Sequence, residues 1–268
     1  MSIPVEWQKI PFEFGLMKHE WGWLHEAIGP FWEDGWISSV AYRVKHGKEA
    51  RVYCCRGRFA DDELVAAKVY LKKGARAMTN YRYYQEGRVL RDERGRSIRD
   101  RRSYRALKQK SSHGRKLEEA SWIQHEFRAM QILYDAGAAI PEPLAVKGDT
   151  ILMTYLGDAD RAAPMLVDVT LEPDRARQYF DVLMRNIELF LTCHCIHGDL
   201  SAYNVMLHED EVYVIDFPQM VDPRSHRDAY QLLERDIDRL CRYFNRFGIG
   251  ANPTAIASDL WWKYVCSR

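Results

Sequence analysis

Three side chains able to handle a metal ion or a proton fall within twenty residues: Asp199, Asn204 and Asp216, in His197-Gly198-Asp199-Leu200-Ser201-Ala202-Tyr203-Asn204 and Val212-Tyr213-Val214-Ile215-Asp216-Phe217. Asp199 and Asn204 lie five apart in what reads as a loop. The apolar runs Val205-Met206-Leu207 and Val212 to Ile215 flank the polar turn His208-Glu209-Asp210-Glu211, so they read as two short strands of a hairpin. Such a hairpin brings Asp216 back beside Asn204. One carboxylate to orient a nucleophile, with an amide and a second carboxylate to hold Mg²⁺ against phosphates, is what phosphoryl transfer from a nucleotide needs. A loop with a turn-forming Asn and two solvated acids is the plainer alternative. The strand-turn-strand context favours the chemical one.

Other elements must hold the nucleotide. Leu64-Val65-Ala66-Ala67-Lys68-Val69-Tyr70 is an apolar strand with one charge inside it, and a lone Lys there must find a partner or a ligand. Period-two alternation sets Leu64, Ala66, Lys68 and Tyr70 on one face. In Trp122 to Tyr134, positions 123, 126, 130 and 133 share one helical face, so Glu126 interrupts an apolar stripe and wants a cation. Lys68 is the expected partner, and Glu118 and Glu119, in the charged approach to that helix, are poorer candidates than Glu126 for the carboxylate that pairs with it. Asp135-Ala136-Gly137 ends the helix. Upstream, Val40 to Val44 and Arg51 to Cys55 read as strands around a tip containing Gly47, where backbone N–H groups can form an anion nest.

The bulk properties bound the classes. A chain of 268 residues suits one two-lobed catalytic unit better than two independent domains. No run of eighteen apolar residues occurs and Met1 to Ile10 lacks the pattern of a signal peptide, so a protein without membrane association is expected. The six cysteines have no paired C-x-x-C spacing, and are read as reduced core thiols of a cytoplasmic protein. The net charge of +1 hides an asymmetry: between Lys72 and Lys116 there are sixteen Lys or Arg against four Asp or Glu, leaving +12 there and −11 elsewhere. Its Arg residues, interleaved with Tyr81, Tyr83, Tyr84 and Tyr104, suit RNA contact through phosphates and stacking, or a solvated loop. Residues 1–37 hold five Trp and read as a brace or lid, with a partner-binding aromatic surface as the alternative.

The segment His197 to Asn204 resembles the catalytic loop of the RIO family of atypical protein kinases, where Gly follows the His and Leu-Ser-x-Tyr-Asn follows the Asp. Ile215-Asp216-Phe217-Pro218-Gln219-Met220-Val221 resembles that family's metal motif, and Gly47-Lys48-Glu49-Ala50-x-Val52-Tyr53 resembles its nucleotide loop. Two positions depart from the family pattern: Ala202, where an acid is usual, and Thr154, where Glu is usual. The resemblance runs over about residues 38–248.

It implies an α+β, bilobal protein-kinase-like fold with a β-rich N-lobe and a shortened helical C-lobe lacking an activation segment. Residues 1–37 would be an N-terminal extension, 38–156 the N-lobe with the basic insertion 72–116, and 157–268 the C-lobe. ATP would sit between the lobes, with Gly47, Lys48, Glu49 and Val52 near it, Lys68 on its phosphates and Glu126 holding Lys68. The backbone from Thr154 to Leu156 would bond the adenine edge. Asn204 and Asp216 would hold Mg²⁺, and Asp199 would orient the nucleophile. Asp236 would support the catalytic loop, and His197 would brace it. The family also implies transfer to Ser or Thr, or to water through a phosphorylated Asp216, and a role with maturing small ribosomal subunits. A small-molecule phosphotransferase of the aminoglycoside or choline type shares His-Gly-Asp, but usually has His where Ser201 stands. An ATP-gated RNA-binding scaffold is the further alternative.

Overall fold

A computed structural model of the chain describes residues 3–47, 49–58, 63–71, 83–84, 88–92, 94–109 and 111–267. These fall into two compact units, one drawn from Met1–Lys73, Leu90–Phe127 and Glu142–Ala162, the other from Gly74–Val89, Arg128–Pro141 and Ala163–Arg268.

The first unit is built on a five-stranded antiparallel sheet of β1 (Ile37–His46), β2 (Ala50–Gly57), β3 (Leu64–Tyr70), β4 (Pro143–Lys147) and β5 (Thr150–Thr154), in the order β1-β2-β3-β5-β4. Alternation along β3 sends Val65, Ala67 and Val69 to one face, where helix α1 (Lys18–Glu33) covers them with Leu24, Ile28 and Phe31, all fully buried. Each such side chain contributes roughly 1.5–3 kcal/mol by leaving water. The aromatic segment is therefore a brace: Trp7, Phe12, Phe14, Trp23, Trp32 and Trp36 pack around this core. One charge is buried within it. Glu20 has no exposed surface and takes both Arg43 of β1 and Arg51 of β2 at 2.6 Å, tying α1 to the sheet.

The opposite face carries Ala66, Lys68 and Tyr70. Ile123 and Phe127 of a 24-residue helix, Ser112–Asp135, pack there against Tyr70 and Ile151. Preceding that helix is α2 (Arg101–Lys108), capped by Asp100, whose Oδ1 accepts the Ser103 N–H at 2.8 Å. The long helix is α3. It ends before Gly137, whose φ of +85° suits a residue without Cβ.

In the second unit, α4 (Pro173–Thr192) buries Phe180, Leu183, Ile187 and Leu191 at the helical spacing of its apolar residues and leads into the loop 193–204. The hairpin β6 (Val205–His208) and β7 (Glu211–Val214) turns through Glu209 and Asp210, both at positive φ, as a two-residue turn matching strand twist requires. Helices α5 (Ala229–Asn245) and α6 (Pro253–Trp261) follow, the latter capped by Asn252. Among the described residues no helix is long and apolar enough to cross a membrane. All six cysteines are free thiols, and burial pushes Cys54 and Cys241 up to about 11 and Cys195 to about 12.

Candidate active site

In the first unit, Lys68 lies in register between Val52 of β2 and Ile151 of β5, so its Cβ must leave the sheet on their shared face. Its Nζ donates to Glu126 Oε1 at 2.7 Å, and Glu126 is 1% exposed. Two periodicities, two along β3 and 3.6 along α3, thus meet in one ion pair. At the β1–β2 tip the Gly47 N–H bonds Ala50 O at 3.1 Å, and a Cβ on Gly47 would stand 2.7 Å from that oxygen. Only glycine fits the turn. Glu49 is exposed there, and its carbonyl accepts the Leu71 N–H. Lys48 lies outside the described residues, as do residues 72–82, 85–87, 93 and 110 of the basic insertion. At the end of β5 the Thr154 N–H is taken by Glu142 O and the Tyr155 N–H by Leu64 O. Those amides are committed to the sheet, while Leu156, 8% exposed, follows them.

In the second unit, the segment His197 to Asn204 is fastened from several sides. Asp236 of α5, 2% exposed, accepts the Gly198 N–H at 2.7 Å and the Leu200 N–H at 3.0 Å, one on each carboxylate oxygen. Burial pushes its carboxyl up to about 7, against the pull of the Gly198 bond and of Arg235. Arg235 donates to Gly198 O. Gly198 has φ +79°, and a Cβ there would meet Gln219 O at 2.6 Å. His197 bonds Ile215 O through Nε2 at 3.1 Å, accepts the Asp199 N–H at Nδ1, and packs on Phe217 at 4.9 Å between ring centroids. Both ring nitrogens face backbone, which makes this imidazole a brace.

Asn204 Nδ2 donates to Asp199 O at 2.9 Å, and Asn204 O accepts the Ile215 N–H at 3.0 Å. These two bonds link Asp199, Asn204 and the residue preceding Asp216. Asp216 has φ +72°, a left-handed conformation that is uncommon for non-glycine residues and that Asp adopts more readily than most. Asp199 is 39% exposed at its side chain and pairs with Arg239 of α5 at 2.6 Å, a partner the sequence reading did not anticipate. Nor did it anticipate how the basic insertion is anchored: Arg88 donates to Pro218 O and Met220 O, and Tyr83 O bonds His226 Nε2 at 2.8 Å. No group of three or more His, Cys, Asp or Glu side chains suited to a metal ion occurs among the described residues.

An antiparallel sheet with a buried Lys–Glu pair, and a helical unit whose hairpin carries Asp216 to Asn204, together define a protein-kinase-like bilobal fold. The chain belongs to the RIO family, as the RIO domain model matches residues 52–256. It is 31% identical over 219 residues to the serine/threonine-protein kinase rio1 of Schizosaccharomyces pombe, covering 81% of this chain and 40% of that one. It is 30% identical over 231 residues to the RIO-type serine/threonine-protein kinase Rio1 of Haloferax volcanii, covering 86% of this chain and 71% of the relative. The chain thus spans less than half of the yeast protein and most of the archaeal one. Among solved structures, the Rio2 kinase-ADP/Mg²⁺-phosphoaspartate complex of Chaetomium thermophilum shares the fold, with a TM-score of 0.61 at 24% identity, over 89% of this chain and 65% of that one.

Proposed function

We propose that this chain is an ATP-dependent serine/threonine protein kinase that also hydrolyses ATP. The observation that carries the reading is the linkage of Asp199, Asn204 and Ile215 through one side-chain bond and one backbone bond, with Asp216, next in the chain, at φ +72°. Backbone strain at a metal-binding carboxylate is the kind of cost that persists where function requires the geometry.

The residues present fit MgATP. Asn204 spends its amide N–H on Asp199 O, so its Oδ1 is the atom suited to a cation. One amide and one carboxylate is a sparse set for a metal ion alone, but Mg²⁺ is commonly held by one or two protein ligands together with phosphates. Bound MgATP supplies the transferable phosphoryl group and the cation that offsets its charge. Lys68 neutralises phosphate charge, and Glu126 fixes its ammonium. Gly47, Glu49 and Val52 line the nucleotide, and the backbone from Thr154 to Leu156 takes the adenine edge, with Leu156 supplying the amide because the two before it are committed. Asp199 accepts a hydrogen bond from the attacking hydroxyl and orients it.

The relative crystallised as a phosphoaspartate complex supports a second acceptor here, the Asp216 carboxylate. One carboxylate oxygen would bond to phosphorus as ADP leaves, and water would later cleave the acyl phosphate. Incubation with γ-labelled ATP tests both routes. Acid-stable label on Ser or Thr reports protein transfer, and hydroxylamine-labile label absent from Asp216→Asn reports the aspartyl route. Label that survives hydroxylamine in full would remove the second.

A specific observation also favours RNA contact, in the manner of a factor acting on small ribosomal subunits in the cytoplasm. Helix α2 exposes Arg101, Arg102, Arg105 and Lys108 beside Tyr104, which is 50% exposed. That pairing of cations with an open aromatic ring suits phosphate contacts and base stacking. A steep fall of RNA affinity with salt, flattened by Arg101→Ala with Arg105→Ala, is the expected result.

A further inference from the structure

Beside Asp199 the second unit opens a cleft of about 600 Å³, lined by Asp199, Tyr203 and Asn204 on one side and by Arg239, Arg242 and Arg246 on the other. The arginines are spaced i, i+3 and i+7 along α5 and its C-terminal cap, so they stand on one face of the helix. Arg239 pairs with Asp199 at 2.6 Å. Arg242 is held by Asp238 at 2.7 Å yet remains 78% exposed at its side chain. Arg246 has no carboxylate partner among the described residues; its guanidinium lies over the ring of Tyr243 at 4.6 Å. Tyr243 is itself fixed, its hydroxyl donating to Leu166 O at 2.6 Å.

Cations near a helix C-terminus are favourable on their own, and that accounts for their tolerance there. It does not account for three of them forming one wall of the cleft that contains Asp199. Even counting Asp238, three guanidiniums face two carboxylates, and two of the guanidiniums are ordered before any ligand arrives. Preordered forks of this kind suit bidentate contacts to carboxylate or phosphate.

We propose that this cleft binds the phosphoacceptor, and that the acceptor is a Ser- or Thr-bearing protein segment whose flanking residues carry carboxylate or phosphate groups. The inference rests on the kinase reading above, since it takes Asp199 as the group that orients the acceptor hydroxyl. Arg242 and Arg246 would hold the acidic flank, and Tyr203, 68% exposed, would cover the segment from the loop side. A polycationic acceptor such as an aminoglycoside would be repelled by the same wall.

The test uses the full chain with γ-labelled ATP and one Ser peptide in four forms, flanked by Asp, by phosphoserine, by Ala or by Lys. The expected result is a kcat/KM for the Asp and phosphoserine forms about tenfold or more above the Lys form, expressed mainly in KM and weakening with salt. The Asp and phosphoserine arms separate the two sources of negative charge. In Arg242→Glu with Arg246→Glu the order should invert, with the Lys form preferred; a fold defect would lower all four together and would not invert it. A flat ranking, within about twofold across the peptides, overturns the inference while measurable turnover leaves the kinase reading standing. So does a flat ranking in which single-stranded RNA binding is lost in the double variant, which would give the wall to RNA. Transfer to no peptide of any charge, in a chain that binds MgATP, overturns the inference together with the protein-kinase reading.

Discussion

Asp236 Oδ2 accepts the Gly198 N–H at 2.7 Å from a position 2% exposed, so a buried side chain of α5 sets the backbone on which Asp199 is carried. Because that carboxyl is pushed up to about 7 by burial, the folded protein holds its proton where the unfolded chain, near 3.9, has released it. The native state then binds more protons than the unfolded one between those values. The stability this group contributes is complete below about 4 and is lost as pH rises through about 7. Asp236→Asn keeps one oxygen but sets an NH₂ against a backbone N–H, at a cost of roughly 1–3 kcal/mol. Urea unfolding from pH 4 to 8 should show the variant less stable and its stability flatter across that window.

The Lys68–Glu126 pair predicts a non-additive cycle. Lys68→Met leaves the buried Glu126 without its 2.7 Å partner and should destabilise by roughly 3–5 kcal/mol. Lys68→Met with Glu126→Leu should recover much of that loss in thermal unfolding, while ATP still fails to raise the Tm of the double variant. Restored stability with a restored nucleotide response would contradict the assignment of Lys68 to the phosphates.

Strain at Asp216 separates stability from metal binding. Asp216→Gly relieves the positive φ and should leave the fold as stable as the wild type or about 1 kcal/mol more so, whereas Asp216→Ala retains the strain. Both should lose the Mg²⁺ dependence of nucleotide affinity, measured by calorimetry with and without the cation.

Glu20 gives a test remote from the chemistry. Its two ion pairs hold α1 on the sheet, so Glu20→Ala should cost about 3–5 kcal/mol by leaving Arg43 and Arg51 facing an apolar surface. Protection of β1 and β2 amides in hydrogen exchange should fall first.

How much was legible follows from which signals are local. Lys68 and Glu126 announced themselves as charges breaking apolar periodicities, and the turn at Glu209-Asp210 announced the hairpin that carries Asp216. The helix α4 was readable from its apolar spacing alone. Glu20 was hidden because it sits in an aromatic stretch whose partners, Arg43 and Arg51, are set by strand register rather than by helical spacing. Arg239, Arg242 and Arg246 read as the solvated face of a helix, and only the fold shows that this face meets the loop of Asp199. The anchoring of Arg88 on Pro218 and Met220 joins residues some 130 positions apart, a distance at which periodicity carries no signal.

The most direct measurement is single-turnover transfer from γ-labelled ATP by the wild type and by Asp199→Asn, with the ATP Kd determined on each. The variant should bind ATP within about twofold of the wild type while its rate falls by about 10²–10⁴. A rate within a few-fold of the wild type at equal ATP affinity would contradict this, and Asp199 would then not be the residue that orients the nucleophile.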